Sequence, residues 1–382
     1  MRILQVIQFF GPKHGGSFTV AYELTKFLAK RGHEVTVITT DFELDKNIVK
    51  SLEGVEVIPF HCQYNIGNLL LSTSMDSYLQ QNVAKFDIIH MHNFRTYQNI
   101  LVHKYAKKYN IPFILQAHGS SLRIIEKKGL KYIYDVFYGN RLLKDASNVV
   151  AVSNIEVDQY SQMNVPSEKI IVIPNGIDVD SFCKLPEKGS FRTKHNISQK
   201  HIILYLGRLH ERKGIDFLIK SYAELLNEIN DVILVLAGPD DGYLDKAKSL
   251  VDELSLKDNV KFTGFISSGE KLEAYVDADI LVYPSILEIF GLVPFEAIMC
   301  GTPVIVTDDC GCGELIKESK SGYLVKYADI NSLKEKMRII LENPQKNNEF
   351  VSNGKKFIYE KLYWENIVIN MEDNYENCIR NV

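Results

Sequence analysis

The stretch His201–Leu226, HIILYLGRLHERKGIDFLIKSYAELL, decides the fold. Ile202 to Leu206 is an apolar run without alternation, which suits a strand buried on both faces of a parallel sheet. Arg208 to Gly214 reads as loop, and beyond it Ile215, Leu218, Ile219, Tyr222, Leu225 and Leu226 recur at helical spacing. Strand, loop, helix is the repeating unit of a doubly wound α/β layer.

The chain opens on the same unit. RILQVI (2–7) reads as a strand, GPKHGGS (11–17) as a loop, and Val20, Ala21, Leu24, Phe27 and Leu28 as one helical face. Gly32 marks the stop, and EVTVITT (34–40) is the next strand. Further apolar strands are expected at VEVIPF (55–60), FDIIHMH (86–92), PFILQAH (112–118), NVVAVS (148–153) and KIIVIP (169–174). A polar stretch, residues 183–200, reads as an interdomain linker, after which the pattern restarts at His201. VILVLAGP, VKFTGF, ILVYPS, PVIVTD and GYLV supply the later strands. Two wound halves in succession predict a bilobal molecule, whose ligands are expected at the carboxyl ends of strands and in the cleft between lobes.

Composition agrees. A chain of 382 residues, 46% hydrophobic and 24% charged, exceeds one ordinary core and fits two. No apolar run approaches the roughly 20 residues of a spanning helix, and the N-terminus reads as a first strand rather than a signal peptide. Six scattered cysteines argue for a reducing cytoplasm over a disulfide framework. The net charge of −4 hides a basic window, residues 95–144, with ten Lys or Arg against Glu126 and Asp135. Its mixture of basic, aromatic and aliphatic residues is that of an interfacial segment, so peripheral contact with an anionic membrane is expected there. A solvated basic face is the plainer alternative. Without a nucleic-acid motif, nucleic acid is not expected as a partner.

Two constellations carry chemistry. Arg208 and Lys213 follow a strand end and precede a helix, a plausible diphosphate clamp because helix-start amides also favour phosphate charge. In EIFGLVPFE (288–296), Pro294 sets the helix start near Gly291–Pro294. Glu288 then lies on the loop after ILVYPS, Gly291 and Leu292 offer backbone N–H groups to a phosphate, and Glu296 sits on the helix. There a carboxylate can accept two hydrogen bonds from a vicinal diol such as that of ribose; buried and unpaired it would be costly.

GRLHERKG, TGFI, SILEIFGLVPFEAIMCGTPVIVTD, the GGS near the N-terminus, IPNGID and the closing YWENIVINMEDNYENCI occur in one order across nearly the whole chain. Together they resemble the family-four (group 1) glycosyltransferases, retaining enzymes of the GT-B fold, in which two Rossmann-like doubly wound domains face each other across a cleft. The resemblance implies an acceptor-binding domain over 1–182, a linker at 183–200, a nucleotide-sugar-binding domain over 201–363 and a C-terminal helix, about 364–382, that crosses back to the first domain. It implies that Arg208 and Lys213 neutralise the donor diphosphate, that Glu211 orients them, that Glu288 contacts the transferred sugar and that Glu296 contacts the ribose. It further implies that Ile266 meets the base through its backbone, that Gly16 lets the first loop approach the diphosphate, and that His118 faces the donor sugar. No cofactor or metal is implied, since Arg208 and Lys213 replace the cation. The expected activity is transfer of a hexose or N-acetylhexosamine, from UDP in preference to GDP, to a glycan or lipid-linked acceptor in cell-surface polysaccharide or glycoconjugate synthesis. Such an enzyme would be cytoplasmic, with peripheral contact at the inner membrane face. An epimerase or phosphorylase on the same fold, or a non-catalytic sugar-nucleotide-binding subunit, are the alternatives. His90 and His92 lack a third ligand for metal and read as cleft lining or packing. Cys310 and Cys312 read as a small-residue loop beside the phosphate site, and Trp364 as core of the crossing segment.

Overall fold

A computed structural model describes residues 1–12, 15–66, 69–121, 128–286 and 288–381. The chain forms two compact units, residues 1–176 with 364–382 and residues 177–363.

The first unit is built on a seven-stranded parallel sheet: β1 (Arg2–Val6), β2 (Glu34–Thr40), β3 (Val55–Phe60), β6 (Ile88–His92), β7 (Phe113–Gln116), β8 (Asn148–Ala151) and β9 (Ile170–Val172). They lie in the order β3-β2-β1-β6-β7-β8-β9, while β4 (Tyr64–Ile66) and β5 (Leu69–Leu71) form a separate antiparallel pair. The second unit holds β10 (His201–Leu206), β11 (Val232–Ala237), β12 (Val260–Gly264), β13 (Ile280–Tyr283), β14 (Val304–Thr307) and β15 (Gly322–Val325), in the order β12-β11-β10-β13-β14-β15. In each sheet the order reverses beside the first strand, between β1 and β6 and between β10 and β13. Loops leaving the carboxyl ends of those strands diverge and open a crevice, where such sheets place ligands.

Helical faces read from spacing are the buried ones. Val20, Ala21, Leu24, Phe27 and Leu28 of the helix Gly16–Lys30 are all buried, as are Ile215, Leu218, Ile219, Tyr222 and Leu225 of the helix Ile215–Leu226; Leu226, read on the same face, is half-buried at the helix end. Residues 183–200, expected as an interdomain linker, fall within the second compact unit. Phe191 is fully buried, and Asp277 accepts hydrogen bonds from the backbone N–H groups of Gly189 and Arg192 (2.9 Å for the latter). Part of the polarity that suggested a linker belongs to a short helix, Ser190–Lys194, whose Thr193 and Lys194 are exposed while Phe191 faces inward.

Candidate active site

At the second unit's switch point, β10 runs into Gly207 and Arg208, and the next turn, Glu211–Lys213, ends on Gly214. Gly214 has φ 64°, and a Cβ there would stand 2.2 Å from the Pro284 carbonyl oxygen, so only glycine lets this loop lie against the exit of β13. The Ile286 N–H donates to the Arg212 carbonyl (2.8 Å) and joins the two loops.

That junction brings three polar side chains together. Lys213 Nζ lies 2.5 Å from Glu288 Oε2 and 3.2 Å from Tyr283 Oη, and Tyr283 Oη donates to Glu288 Oε2 (2.7 Å). Burial acts to raise the Glu288 carboxyl, but the Lys213 charge and hydrogen bond, the Tyr283 hydroxyl and the Arg208 field together outweigh it, so the group lies below its ordinary value and is ionised. Burial, then the Glu288 charge, hold the Tyr283 phenol well above its usual value, keeping it a donor. Gly291, at φ 74°, completes the wall: a Cβ there would lie 3.1–3.3 Å from Tyr283, Glu288 and Cys312. Among the described residues neither the Gly291 nor the Leu292 N–H donates to another backbone group. An ammonium has three donors, and Lys213 spends two here. The third and the two amides are what an anion could take.

The other expected residues are distributed differently. Arg208 makes no bond to Lys213 or Glu288; its guanidinium is 59% exposed and holds Asp241 (2.6 Å). So exposed a pair contributes about 0–1 kcal/mol, and an incoming anion can take the arginine at little cost. Glu211 is exposed, and among the described residues Arg208 and Lys213 are paired with Asp241 and Glu288 rather than with it. Glu296, on the helix Val293–Met299, is already held, Oε1 by Lys271 (2.8 Å) and Oε2 by Tyr275 Oη (2.8 Å). Each oxygen keeps a lone pair for a diol. Ile266 is buried, and among the described residues its backbone N–H and C=O enter no backbone hydrogen bond. Cys312 packs its Sγ against Gly291, with Cys310 Sγ 3.2 Å away and capping the helix Gly311–Ser319.

In the first unit, Gly16 begins a helix with open space where its Cβ would be; the position that demands glycine is Gly15, at φ 71°. His118 lies just past β7 at φ 51°, its Nε2 3.0 Å from His92 Nδ1.

Tyr283, Lys271, Tyr275 and Asp241 were missed in the sequence. Lys271 and Tyr275 had a signal, since four residues apart on the helix Ser268–Asp277 they share a face. Tyr283 had none, being one more large residue in an apolar strand.

Residues 14–181 match the family described as glycosyltransferase family 4, and residues 187–357 match glycosyl transferases group 1. A Methanocaldococcus jannaschii protein described as an uncharacterized glycosyltransferase is 29% identical over 381 residues, 96% of each chain. N-acetyl-alpha-D-glucosaminyl L-malate synthase of Bacillus anthracis is 26% identical over 382 residues, covering 97% of this chain and 96% of that one. Among solved structures, Anabaena HepE in complex with UDP and glucose superposes with a TM-score of 0.81 at 21% identity, over 99% of this chain and 100% of that one. Sucrose-phosphate synthase from Thermosynechococcus elongatus does so at 0.79 and 22%, over the whole of both chains. These likenesses show the GT-B fold.

Proposed function

The chain belongs to the family 4, group 1 glycosyltransferases, enzymes acting on sugar-nucleotide donors, and from that premise we propose that it moves a hexose or N-acetylhexosamine from a UDP-sugar, with retention, onto a glycan or lipid-linked acceptor. The observation that carries the reading is the Lys213–Glu288–Tyr283 cluster at a strand-order switch point, beside the Gly291 and Leu292 amides, which donate to no backbone group among the described residues. Lys213 and Arg208 take up the charge of the departing diphosphate, with the Gly291 and Leu292 amides completing its cradle. Glu288, anchored on one oxygen, uses the other to orient hydroxyls of the transferred sugar, and Glu296 does the same for the ribose. His118 meets the donor sugar. No side-chain base is assigned. A β-phosphate oxygen takes the acceptor hydroxyl's proton as the new glycosidic bond forms on the face the diphosphate leaves, so positioning and electrostatics carry the rate. The reading includes no metal, because two side-chain cations supply the positive charge.

UDP bound to the structurally similar HepE supports the choice of nucleotide. A thermal-shift panel of UDP- and GDP-sugars tests it, since a ligand at a hundred times its Kd adds about 2.7 kcal/mol of stability. UDP-sugars should give the larger shifts; equal or larger shifts with GDP-sugars would reverse the preference. A UDP-sugar converted without any acceptor would favour an epimerase.

The same proposal includes an anionic membrane surface as the enzyme's place of work. Part of the basic window is neutralised: Arg95 is paired with buried Asp135, Lys104 with Asp76 and Lys107 with Asp145. Arg123 and Lys127 lie outside the described residues. What supports the reading is the segment 129–144, where Leu130, Tyr132, Ile133, Val136, Phe137 and Tyr138 are exposed, with Arg141 and Lys144 exposed beside them. Asp135, its one acid, is turned inward. A basic residue near an anionic surface contributes about 1 kcal/mol. Replacing Lys131, Arg141 and Lys144 with Gln should therefore weaken sedimentation with phosphatidylglycerol vesicles about 100-fold. Unchanged sedimentation removes the basic residues from the contact, and equal binding of the unaltered protein to phosphatidylcholine vesicles removes the preference for an anionic surface.

A further inference from the structure

At the first unit's switch point a chain of buried polar groups runs between the C-terminal helix, Trp364–Arg380, and His118. Adjacent parallel strands set it up. β1 pairs with β6 and places Gln5 opposite His90, and β6 pairs with β7 and places His92 opposite Gln116. His90 and His92 point to one face and stack at 4.2 Å, and His92 stacks on His118 at 5.3 Å and 12°. Gln5, His90, His92 and Tyr375 are fully buried, so each hydrogen bond among them is made in place of water.

The donors can be assigned one by one. His92 Nε2 lies 2.6 Å from Gln5 Oε1, which can only accept, so that nitrogen carries the proton and His92 Nδ1 is bare. His118 Nε2, 3.0 Å from that bare nitrogen, must donate. In the other direction Gln5 Nε2 donates to Tyr375 Oη (3.2 Å), which leaves the tyrosine proton for His90 Nδ1 (2.7 Å). His90 then carries its proton on Nε2. Among the described residues neither that nitrogen nor Gln116 Oε1, both buried, has a hydrogen bond of normal geometry, and Gln116 lies near enough to the imidazole to act on it, so the two are a donor and an acceptor facing each other. With the Gln5 amide reversed, every donor would reverse and two bare acceptors, His90 Nε2 and Gln116 Oε1, would be the ones left to meet. Burial, with the neighbouring imidazoles also acting on His90 and His92, keeps all three rings neutral, His90 and His118 at about 3 and His92 well below its usual value.

We propose that Tyr375, Gln5 and His92 are positioning residues whose hydrogen-bond relay fixes His118 as the Nε2–H tautomer and leaves its Nδ1 as a bare acceptor for a hydroxyl of the donor sugar. The assignment of that ligand rests on the reading above that His118 meets the donor. A neutral imidazole free to change tautomer would present an acceptor only part of the time; the relay removes that freedom before the donor arrives. The left-handed backbone at His118 (φ 51°) is held from behind, where buried Glu156 accepts the Gly119 N–H (2.6 Å).

The test reads the tautomer directly. In the full chain labelled with ¹⁵N-histidine, long-range ¹H–¹⁵N correlation spectra show which ring nitrogen of His118 carries the proton, the signal being assigned by its loss in His118→Asn. The expected result is Nε2–H in the unaltered protein, and mixed tautomers in Tyr375→Phe and in Gln5→Met, each with KM for the donor raised about tenfold. His118 protonated on Nδ1 in the unaltered protein, or an unchanged tautomer in both variants, overturns the relay, and the first reading needs no variant to fold. If the tautomers behave as expected but saturating UDP-sugar leaves the His118 signals and the variants' KM untouched, the sugar-contact reading is the part that fails.

Discussion

Lys213→Met is expected to lower sugar transfer by about 10²–10³-fold, the usual effect of removing one donor from a preorganised anion site. It should also destabilise the second unit, because Glu288 keeps its burial and loses its cation. Breaking a fully buried pair costs about 3–5 kcal/mol. These side chains retain 17% and 21% of their exposure, so about 2–3 kcal/mol is the better figure here. The pH dependence separates the two effects. In the unaltered protein the Glu288 carboxyl is depressed, so its stabilisation is present above the ordinary carboxylate range and lost as pH falls through the folded value. Without Lys213, burial is the largest remaining influence and the folded value rises above the ordinary one. The sign reverses: the variant is most stable below the ordinary carboxylate range and weakens as pH rises. The stability gap between the two proteins should therefore narrow on going from pH 7 to pH 4. Adding Glu288→Gln to Lys213→Met should restore most of the stability and none of the transfer. Single-turnover rates and unfolding curves check this; transfer within tenfold of the unaltered enzyme, or a gap indifferent to pH, would remove Lys213 from the role.

Residues such as Lys213 and Glu288 were legible because they are charged types at the ends of apolar strands, where parallel sheets put their ligands. What they bond to was not. Tyr283 and Glu288 are near in sequence, but Lys213 meets them only because β10 and β13 are neighbours, and strand order is decided by packing rather than by local pattern. The same limit explains Glu211, near the cations in sequence but not bonded to them, and Glu296, whose partners come from a different helix. Gly15 and Gly16 were indistinguishable as letters; only the backbone angle shows which one a side chain would strain. The strands of the two parallel sheets were readable, most clearly where burial on both faces leaves a continuous apolar run, as in β10, β11 and β13; β4 and β5, three residues each and outside those sheets, were not. Residues 183–200 read as linker because their anchors are few and scattered: Phe191 and Ile197 are buried, and Asp277 holds the backbone beside them.

Trp364→Ala should cost the first unit about 3–5 kcal/mol, the range for removing a large buried aromatic. Trp364 is 2% exposed and stacks on Phe27 (6.1 Å, 20°). Gly176 lies so close to the indole that a Cβ there would stand 2.3–2.7 Å from its ring atoms. Ile367, Val368, Met371 and Tyr375 continue the contact onto Val20, Leu24 and Leu28. The same cluster takes in Ile3, Ile88, Ile114, Val150 and Ile173 of the sheet, so loosening the tryptophan loosens the C-terminal helix where it meets both the first helix and the sheet. For a unit of this size each kcal/mol moves the melting temperature by about 2–4 °C, which gives a fall of roughly 10 °C in the first unit's transition. Gly176→Ala should reproduce part of it by overpacking the same contact. UDP binding, assigned to the second unit, should survive in both variants. Tyr375 follows Trp364 by about three helical turns and so lies on the same face. The anchor and the relay are then one structure: Trp364→Ala should also release the His118 tautomer, whereas a substitution on the outer face, such as Glu376→Gln, should not. A Trp364→Ala protein that melts within 2 °C of the unaltered one, or keeps a single His118 tautomer, would separate the helix's packing from the site and leave Tyr375 without a role in holding it.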